Sequence, residues 1–149
     1  MNGIVRTDNS NLHFQQLVAL LDTDLAKRDG EDNAFYTQFN GINILQHCVV
    51  YYKNNIPLGC GALKQFNETA MEVKRMYVLP ETLGKGIASL LLKDLEKWVM
   101  ELGFSHCVLE TGLRQPEAIS LYKKNGYTVI PNYPPYEGIN NSVCFKKQV

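Results

Sequence analysis

The sequence predicts an α/β (α+β) protein with a mixed central sheet of about six to seven strands and helices on both faces. Consecutive β-rich segments lie between residues 43 and 78, and β-rich and helical segments alternate after residue 87. With 149 residues, 45% of them hydrophobic and 20% charged, the chain has the size and composition of one globular domain. We therefore expect residues 1–149 to form a single domain with this fold.

The amino-terminal part of the chain predicts one strand and two helices. "GIVRT" is a short first strand, and "DNAFYTQFNG" predicts a short second helix ended by Asn40–Gly41. The longer helix between them has a serine or asparagine cap before it and Gly30 after it. Leucines at helical spacing define its apolar face: Leu12, Leu17, Leu20, Leu21 and Leu25.

The middle of the chain predicts a meander of three strands. "NILQHCVVYYK" and "IPLGCGALKQF" are joined by Asn54–Asn55, which suits a hairpin turn. "AMEVKRMYV" is the third strand and ends at Leu79–Pro80, where proline lacks the N–H that a continuing strand needs. Period-two alternation places Glu72, Lys74, Met76 and Val78 on one face of this strand.

The second half of the chain alternates helices with strands. A helix follows "LGKG" and ends at Gly103, and "SHCVLETG" is the next strand. "QPEAISLYKKNGY" predicts a helix with Pro116 in its first turn and Asn125–Gly126 at its end. "YTVI" and "SVCFKK" are the last strands, and the loop "PNYPPYEGINN" separates them.

Charge and cysteine spacing argue against several classes of function. Lysine plus arginine (15) equals aspartate plus glutamate (15), so we expect no nucleic-acid partner, since neutralising phosphates needs excess basic charge. The four cysteines form no CxxC pair and the three histidines lack metal-ligand spacing; we expect no metal and cysteines packed within strands. No apolar stretch resembles a signal peptide or membrane span, so we expect a cytoplasmic protein without a membrane partner.

The segment "VLPETLGKGIASLLL" places two glycines between a strand and a helix. A helix start exposes unpaired N–H groups at the positive end of the helix dipole, and nearby glycines let the backbone curl around an anion. The donors would come from Gly84, Lys85, Gly86, Ile87 and Ala88, and phosphate is the preferred ligand. Neither GxxxxGK[ST] nor GxGxxG is present, which argues against a nucleoside triphosphate or a dinucleotide. A tight turn without a ligand is the alternative.

Two segments resemble the GNAT superfamily of N-acetyltransferases. "MYVLPETLGKGIASLLL" is similar to its acyl-CoA signature, Arg/Gln-x-x-Gly-x-Gly/Ala, with Gly86 and Ala88 at the small positions and Leu83 in place of Arg or Gln. "QPEAISLYKKNGY" is similar to the family segment N-x-x-A-x-x-x-Y-x-x-x-G-F, with Tyr122 at its tyrosine and Gln115 in place of asparagine. The order and separation of these segments match the family over most of the chain.

This resemblance implies an acyltransferase that moves an acetyl group from acetyl-CoA, a cosubstrate, to a primary amine of a small molecule in a ternary complex. A non-catalytic acyl-CoA sensor or partner module with the same fold is the alternative. The resemblance also implies that acetyl-CoA is bound by the last residues of the third meander strand, by the glycine loop and by the later helix with the residue before it: Met76, Tyr77, Val78, Leu83, Gly84, Lys85, Gly86, Ile87, Ala88, Ser89, Gln115 and Tyr122. For Gln115, the alternative is a residue that merely precedes the helix.

The resemblance also suggests catalytic residues. Tyr122 would protonate the departing thiolate; the alternative is a purely buried tyrosine. Glu72 would be the general base, directly or through water, because some family members have a glutamate at this position; the alternative is an ordinary ion pair. Tyr133, Tyr136 and Glu137 in the last loop would bind the acceptor, since aromatic rings with a carboxylate suit a cationic amine. We expect a monomer or homodimer.

Overall fold

The computed structural model describes residues 1–39 and 41–149, and the elements within them follow the predicted order. The α-helices are α1 (Leu12–Asp29), α2 (Asn33–Thr37), α3 (Ile87–Glu101) and α4 (Pro116–Lys124). The strands are β1 (Gly3–Thr7), β2 (His47–Lys53), β3 (Ile56–Gln65), β4 (Ala70–Val78), β5 (His106–Gly112), β6 (Thr128–Ile130) and β7 (Ser142–Gln148). Asn40, where the sequence predicts the end of the second helix, lies outside the described residues.

The seven strands form one open sheet in the order β1-β2-β3-β4-β5-β7-β6. β1 and β2, β2 and β3, β5 and β7, and β6 and β7 pair antiparallel, whereas β4 and β5 pair parallel. A parallel pair requires a crossover connection, and α3 lies in the connection between β4 and β5. The predicted class, a mixed sheet with helices, is confirmed.

Helix α1 begins and ends as its sequence predicts, but its buried face differs from the prediction. The Asn11 side chain accepts a hydrogen bond from the Phe14 N–H (2.9 Å), and Gly30 adopts a positive φ of 52° just after the helix. Leu12 and Leu20, predicted on the apolar face, are exposed. The buried face has the spacing i, i+3, i+4, i+7 and consists of Phe14, Leu17, Val18 and Leu21.

The chain comprises two compact units, residues 1–64 with 73–95 and residues 65–72 with 96–149. In the first unit, α1 packs on buried residues of β2 and β3: Cys48, Val50, Tyr52, Cys60 and Ala62. Gly61 of β3 allows close packing, because a Cβ there would lie 2.6 Å from the sulfur of Met76 and 2.9 Å from a methyl group of Leu95.

The second unit contains a buried polar network around Glu96. Its carboxylate accepts hydrogen bonds from the Tyr127 hydroxyl (2.9 Å) and the Lys147 ammonium group (2.9 Å). Glu96 and Tyr127 are both buried, and the Lys147 ammonium group lies 5.6 Å from the centre of the Tyr127 ring. A buried carboxylate is tolerated because these two donors satisfy it.

We expect Tyr127→Phe to lower the free energy of unfolding by about 1.5–3 kcal/mol, because it removes a buried hydrogen bond to a charged group. Urea denaturation followed by circular dichroism measures this loss. Tyr51→Phe is the matched control, since the Tyr51 hydroxyl makes no hydrogen bond to another described residue. Equal losses in the two variants would contradict the assignment of stability to the Tyr127–Glu96 bond.

All four cysteines are free and buried, which confirms their predicted packing: Cys48, Cys60, Cys107 and Cys144. Removal from water disfavours a thiolate and raises the pKa of each thiol. The pKa rises to about 12 for Cys48 and Cys60 and to about 11 for Cys107 and Cys144. All four are therefore protonated near neutral pH.

Candidate functional site

The loop between β4 and α3 contains two glycines in the left-handed region of backbone conformation. After a 3₁₀ turn at Pro80–Thr82, Gly84 has a φ of +84° and Gly86 a φ of +77°. L side chains rarely adopt these angles, so both positions favour glycine. No described atom lies within 4 Å of a Cβ built on either residue. The backbone is therefore open to a ligand at both glycines.

The start of α3 adds hydrogen-bond donors to this loop. Its first backbone hydrogen bond runs from the Leu90 N–H to the Gly86 carbonyl (3.1 Å), so the Ile87 and Ala88 N–H groups precede the helical ladder. The neighbouring Lys85 is exposed, as is Leu83, which is 61% accessible. Free amides, the helix dipole and a cation at one helix start suit an anionic group such as a diphosphate.

Strand β4 is irregular at Arg75, which has a φ of 58° although it is not glycine. The Lys74 ammonium group donates to the Phe39 carbonyl (3.0 Å), and the next residue, Arg75, donates to the Val18 carbonyl (3.4 Å). Two consecutive side chains thus reach the same helical segment, residues 12–39, which a regular strand does not allow. β4 is therefore bulged at this point.

The bulge corrects the predicted face of β4. A Cβ built on Gly61 would approach both Met76 and a leucine of α3, so Met76 lies on the side of the sheet that packs against α3. The prediction that Glu72, Lys74, Met76 and Val78 share one face is therefore wrong. The extra residue at the bulge exchanges the two faces after Lys74.

The parallel ladder between β4 and β5 is short. It pairs Ala70–Glu72 with His106–Val108, and the rest of β4, Val73–Val78, lies beyond it. At its far end β4 is tied to β3, because the Leu79 N–H donates to the Leu58 carbonyl (2.9 Å). Three β4 residues are predicted to contact acetyl-CoA: Met76, Tyr77 and Val78. All three lie in the part of β4 beyond the ladder, and all three are partly exposed.

Tyr122 lies on α4 and is buried. Its ring meets Tyr127 edge-on at 5.8 Å and Phe145 at 5.9 Å between centroids. The hydroxyl makes no hydrogen bond to another described residue. Burial, with a smaller effect of the Glu110 carboxylate, raises the pKa of Tyr122 above that of a free phenol.

Gln115 lies immediately before α4. Its carbonyl accepts the N–H groups of Ala118 (3.1 Å) and Ile119 (3.2 Å), so its backbone starts the helix. Its side chain makes no capping hydrogen bond to the helix and is partly exposed. The amide is therefore available for a ligand, and its contact with acetyl-CoA stays a prediction.

Glu72, the predicted base, is paired with Tyr133 of the last loop. The Tyr133 hydroxyl donates to a Glu72 carboxylate oxygen at 2.8 Å, and both residues are buried. Burial and the Glu72 charge raise the pKa of Tyr133 above that of a free phenol, so its hydroxyl keeps its proton. The structure thus brings a predicted catalytic residue, Glu72, into direct contact with a predicted acceptor-binding residue, Tyr133.

Tyr133 is the centre of an aromatic cluster. Phe66 lies edge-on to it at 4.7 Å and Tyr136 at 5.8 Å between ring centroids. Tyr136 is buried, whereas Glu137 and Phe66 are exposed. The predicted acceptor residues therefore divide into two buried tyrosines and one exposed carboxylate.

Sequence reasoning missed two residues that the structure connects to predicted site residues. Phe66 follows β3 and packs on Tyr133; an aromatic residue at the end of a strand was its only signal. Arg75 forms the bulge of β4, and its signal was a charged residue among buried positions of a strand.

Two features are absent from the part of the chain that the structure describes. Within residues 1–39 and 41–149, no group of three or more His, Cys, Asp or Glu side chains is arranged to hold a metal ion. Among the helices in those ranges, none is both long and apolar enough to cross a membrane.

A model of the acetyltransferase (GNAT) family matches residues 14–127. This chain belongs to the GNAT family. The match includes the glycine loop, the start of α3 and Tyr122, and it confirms the family predicted from the two sequence segments. The family is one of acetyltransferases.

Several known GNAT proteins are similar to this chain. An IAA acetyltransferase of Azospirillum brasilense is 36% identical over 89 residues, which cover 59% of this chain and 58% of that protein. The chain spans about half the length of the first three curated relatives that it matches.

Solved structures share the whole fold. A Klebsiella pneumoniae protein provisionally assigned as an acyl-CoA N-acyltransferase superimposes with a TM-score of 0.82 at 26% identity, covering 99% of this chain and 97% of that chain. A GNAT acetyltransferase of Elizabethkingia anophelis with acetyl-CoA bound has a TM-score of 0.67 at 20% identity and full coverage of both chains (100% each). The GNAT fold is thus confirmed.

Proposed function

We propose that this GNAT protein transfers the acetyl group of acetyl-CoA to a primary amine of a small molecule, by direct attack in a ternary complex. The observation that carries the proposal is the pair of left-handed glycines, Gly84 and Gly86, with open space beside them at the start of α3. Beside these two glycines lie the unbonded N–H groups at the start of α3, and a bound diphosphate requires this close approach to the backbone.

Acetyl-CoA would be held mainly through the main chain. The diphosphate would accept hydrogen bonds from the loop and first turn, residues 84–89, with the Lys85 ammonium group adding charge. The predicted contribution of Leu83 is not a hydrogen bond, because its side chain has no donor and its N–H already donates to the Pro80 carbonyl (3.3 Å). Ser89, the third residue of α3, would be the last of these residues to contact the diphosphate. Main-chain groups of residues 76–78 would hold the pantetheine arm, and the Gln115 amide would add a further contact.

The reaction needs a proton removed from the amine and a donor for the departing sulfur, because an alkyl ammonium group cannot attack a carbonyl. We assign the first role to the Glu72 carboxylate, which would act directly or through water. Its Oε2 accepts the hydrogen bond from the Tyr133 hydroxyl. The second role falls to Tyr122, whose raised pKa keeps its proton available for the thiolate. A main-chain N–H of residues 76–78 would polarise the thioester carbonyl.

The acceptor would be a cationic amine before it loses its proton. Tyr133, Tyr136 and the exposed Phe66 supply aromatic faces, and Glu72 and Glu137 supply negative charge. This combination favours an ammonium group over an anionic acceptor.

The experiment is turnover of acetyl-CoA with a panel of amines, amino acids, polyamines and aminoglycosides, followed by mass spectrometry of acetylated product and free CoA. We expect product with at least one primary amine and none with the matching tertiary amine. Binding of acetyl-CoA with no product from any acceptor would favour the sensor function instead. Thermal stabilisation by ATP and not by acetyl-CoA would refute both.

A further inference from the structure

Arg75 combines two unfavourable features at one position. Its backbone lies in the left-handed region with a φ of 58°, and its side chain is 2% exposed. Among the side-chain atoms of residues 1–39 and 41–149, its Nε is the only fully buried nitrogen or oxygen without a hydrogen-bond partner. Both features cost stability, and such outliers persist where the surrounding structure holds them in place.

The contacts of Arg75 show what holds it. Its guanidinium group donates to the Val18 carbonyl at 3.4 Å and forms an ion pair with the Asp22 carboxylate, both on α1. From the other side, the Cys60 sulfur of β3 lies 3.4 Å from the Arg75 carbonyl oxygen. The thiol is protonated, so it donates this hydrogen bond. The residue is thus fixed through its side chain and through its main chain.

We propose that the Arg75–Asp22 ion pair anchors the bulge of β4 to α1 and thereby positions the main chain of Met76–Val78 for the thioester end of acetyl-CoA. The inference rests on the proposed function, because it assigns a task to the strand that would bind the pantetheine arm. Arg75 and Asp22 are positioning residues: they act through the backbone of β4 and need not touch the substrate.

The two residues of the ion pair differ in exposure, and this difference makes Asp22 the better position to substitute. The Asp22 side chain is 53% exposed, whereas Arg75 is buried. Loss of the carboxylate leaves a buried guanidinium group without its counter-charge, so the change destabilises Arg75 and the bulge and not the exposed surface around Asp22. Asp22→Asn keeps the shape of the side chain and the exposure of α1, and the protein is expected to fold.

The first experiment compares Asp22→Asn with Asp94→Asn. Asp94 pairs with Arg6 at 3.2 Å and joins α3 to β1 in the same compact unit, so it is a matched ion pair that does not involve β4. We expect Asp22→Asn to increase hydrogen exchange of the amides of residues 73–79 and to lower kcat/KM for acetyl-CoA about tenfold, as small misplacements in active sites do. Asp94→Asn should leave both unchanged within about twofold.

The second experiment separates the backbone from the side chain. Arg75→Gly and Arg75→Ala both remove the anchor, but glycine adopts a φ of 58° without strain and alanine does not. We therefore expect Arg75→Gly to retain about fivefold more kcat/KM per folded molecule than Arg75→Ala, since glycine can still adopt the backbone conformation of the bulge. A purely structural role would lower the melting temperature of both variants. It would leave the kcat/KM per folded molecule of both at the value of the unaltered protein.

Equal kcat/KM for Asp22→Asn and Asp94→Asn would overturn the inference, and so would a kcat/KM per folded molecule in both Arg75 variants equal to that of the unaltered protein. Increased exchange in Asp22→Asn with unchanged turnover would also overturn it. Failure of the proposed function has a different signature, since the unaltered protein would then acetylate no amine although the exchange of residues 73–79 still responded to Asp22→Asn. That result would remove the function and, with it, the catalytic task assigned to the anchor.

Discussion

Replacing Gly86 by valine is expected to weaken acetyl-CoA binding about 100-fold, the equivalent of about 2.8 kcal/mol. Two physical reasons combine. A β-branched residue is strained at a φ of +77°, so the loop would leave the conformation that directs its N–H groups toward a diphosphate. The added side chain would also fill the open space beside the glycine. Isothermal titration calorimetry with acetyl-CoA measures the effect.

Gly103→Val is the matched control for backbone strain. Gly103 follows the other end of α3, has a φ of +90° and also has no described atom within 4 Å of a built Cβ. We expect both variants to lose thermal stability to a similar extent and only Gly86→Val to lose affinity. If Gly86→Val binds acetyl-CoA as tightly as Gly103→Val, the diphosphate does not bind at this loop.

Tyr122→Phe is expected to lower kcat about 100-fold while the KM for acetyl-CoA changes less than about twofold, because the hydroxyl would act on the departing sulfur only as the thioester breaks. Since burial raises the pKa of Tyr122, its proton should remain in place up to at least about pH 10. Loss of this proton should therefore not reduce kcat at moderately alkaline pH. Steady-state kinetics with a responsive amine tests both statements.

Tyr127→Phe provides the control for Tyr122. It makes the same chemical change in a ring that packs against Tyr122 at 5.8 Å, but its hydroxyl is bonded to Glu96. We expect it to lose stability and to keep its kcat. A Tyr122→Phe variant with unchanged kcat would show that Tyr122 is a core residue and not the acid.

The order of elements was predictable because caps, glycines and prolines mark element ends locally. Pro116 in the first turn of α4 and Gly30 after α1 are examples, and both lie where the sequence places them. The glycine loop was predictable for the same reason, since glycine accepts the positive φ that Gly84 and Gly86 adopt without a steric cost.

What failed depended on packing and on contacts far apart in sequence. Leu12 and Leu20 are apolar but face solvent, because the helix buries the face that contains Phe14 instead. The bulge at Arg75 was invisible because alternation of residue types assumes a regular strand. The bond between Glu72 and Tyr133 joins residues separated by 61 positions, and no local pattern indicates it.

The burial of all four cysteines has a practical consequence. In the proposed reaction, each acetyl transfer would release the thiol of CoA, which Ellman's reagent detects by its colour, while the protein's own sulfurs are shielded and protonated. A continuous colorimetric assay should thus have a low background as long as the chain stays folded. In denaturant the same reagent would titrate four thiols per molecule and so report the fraction of a variant that has unfolded.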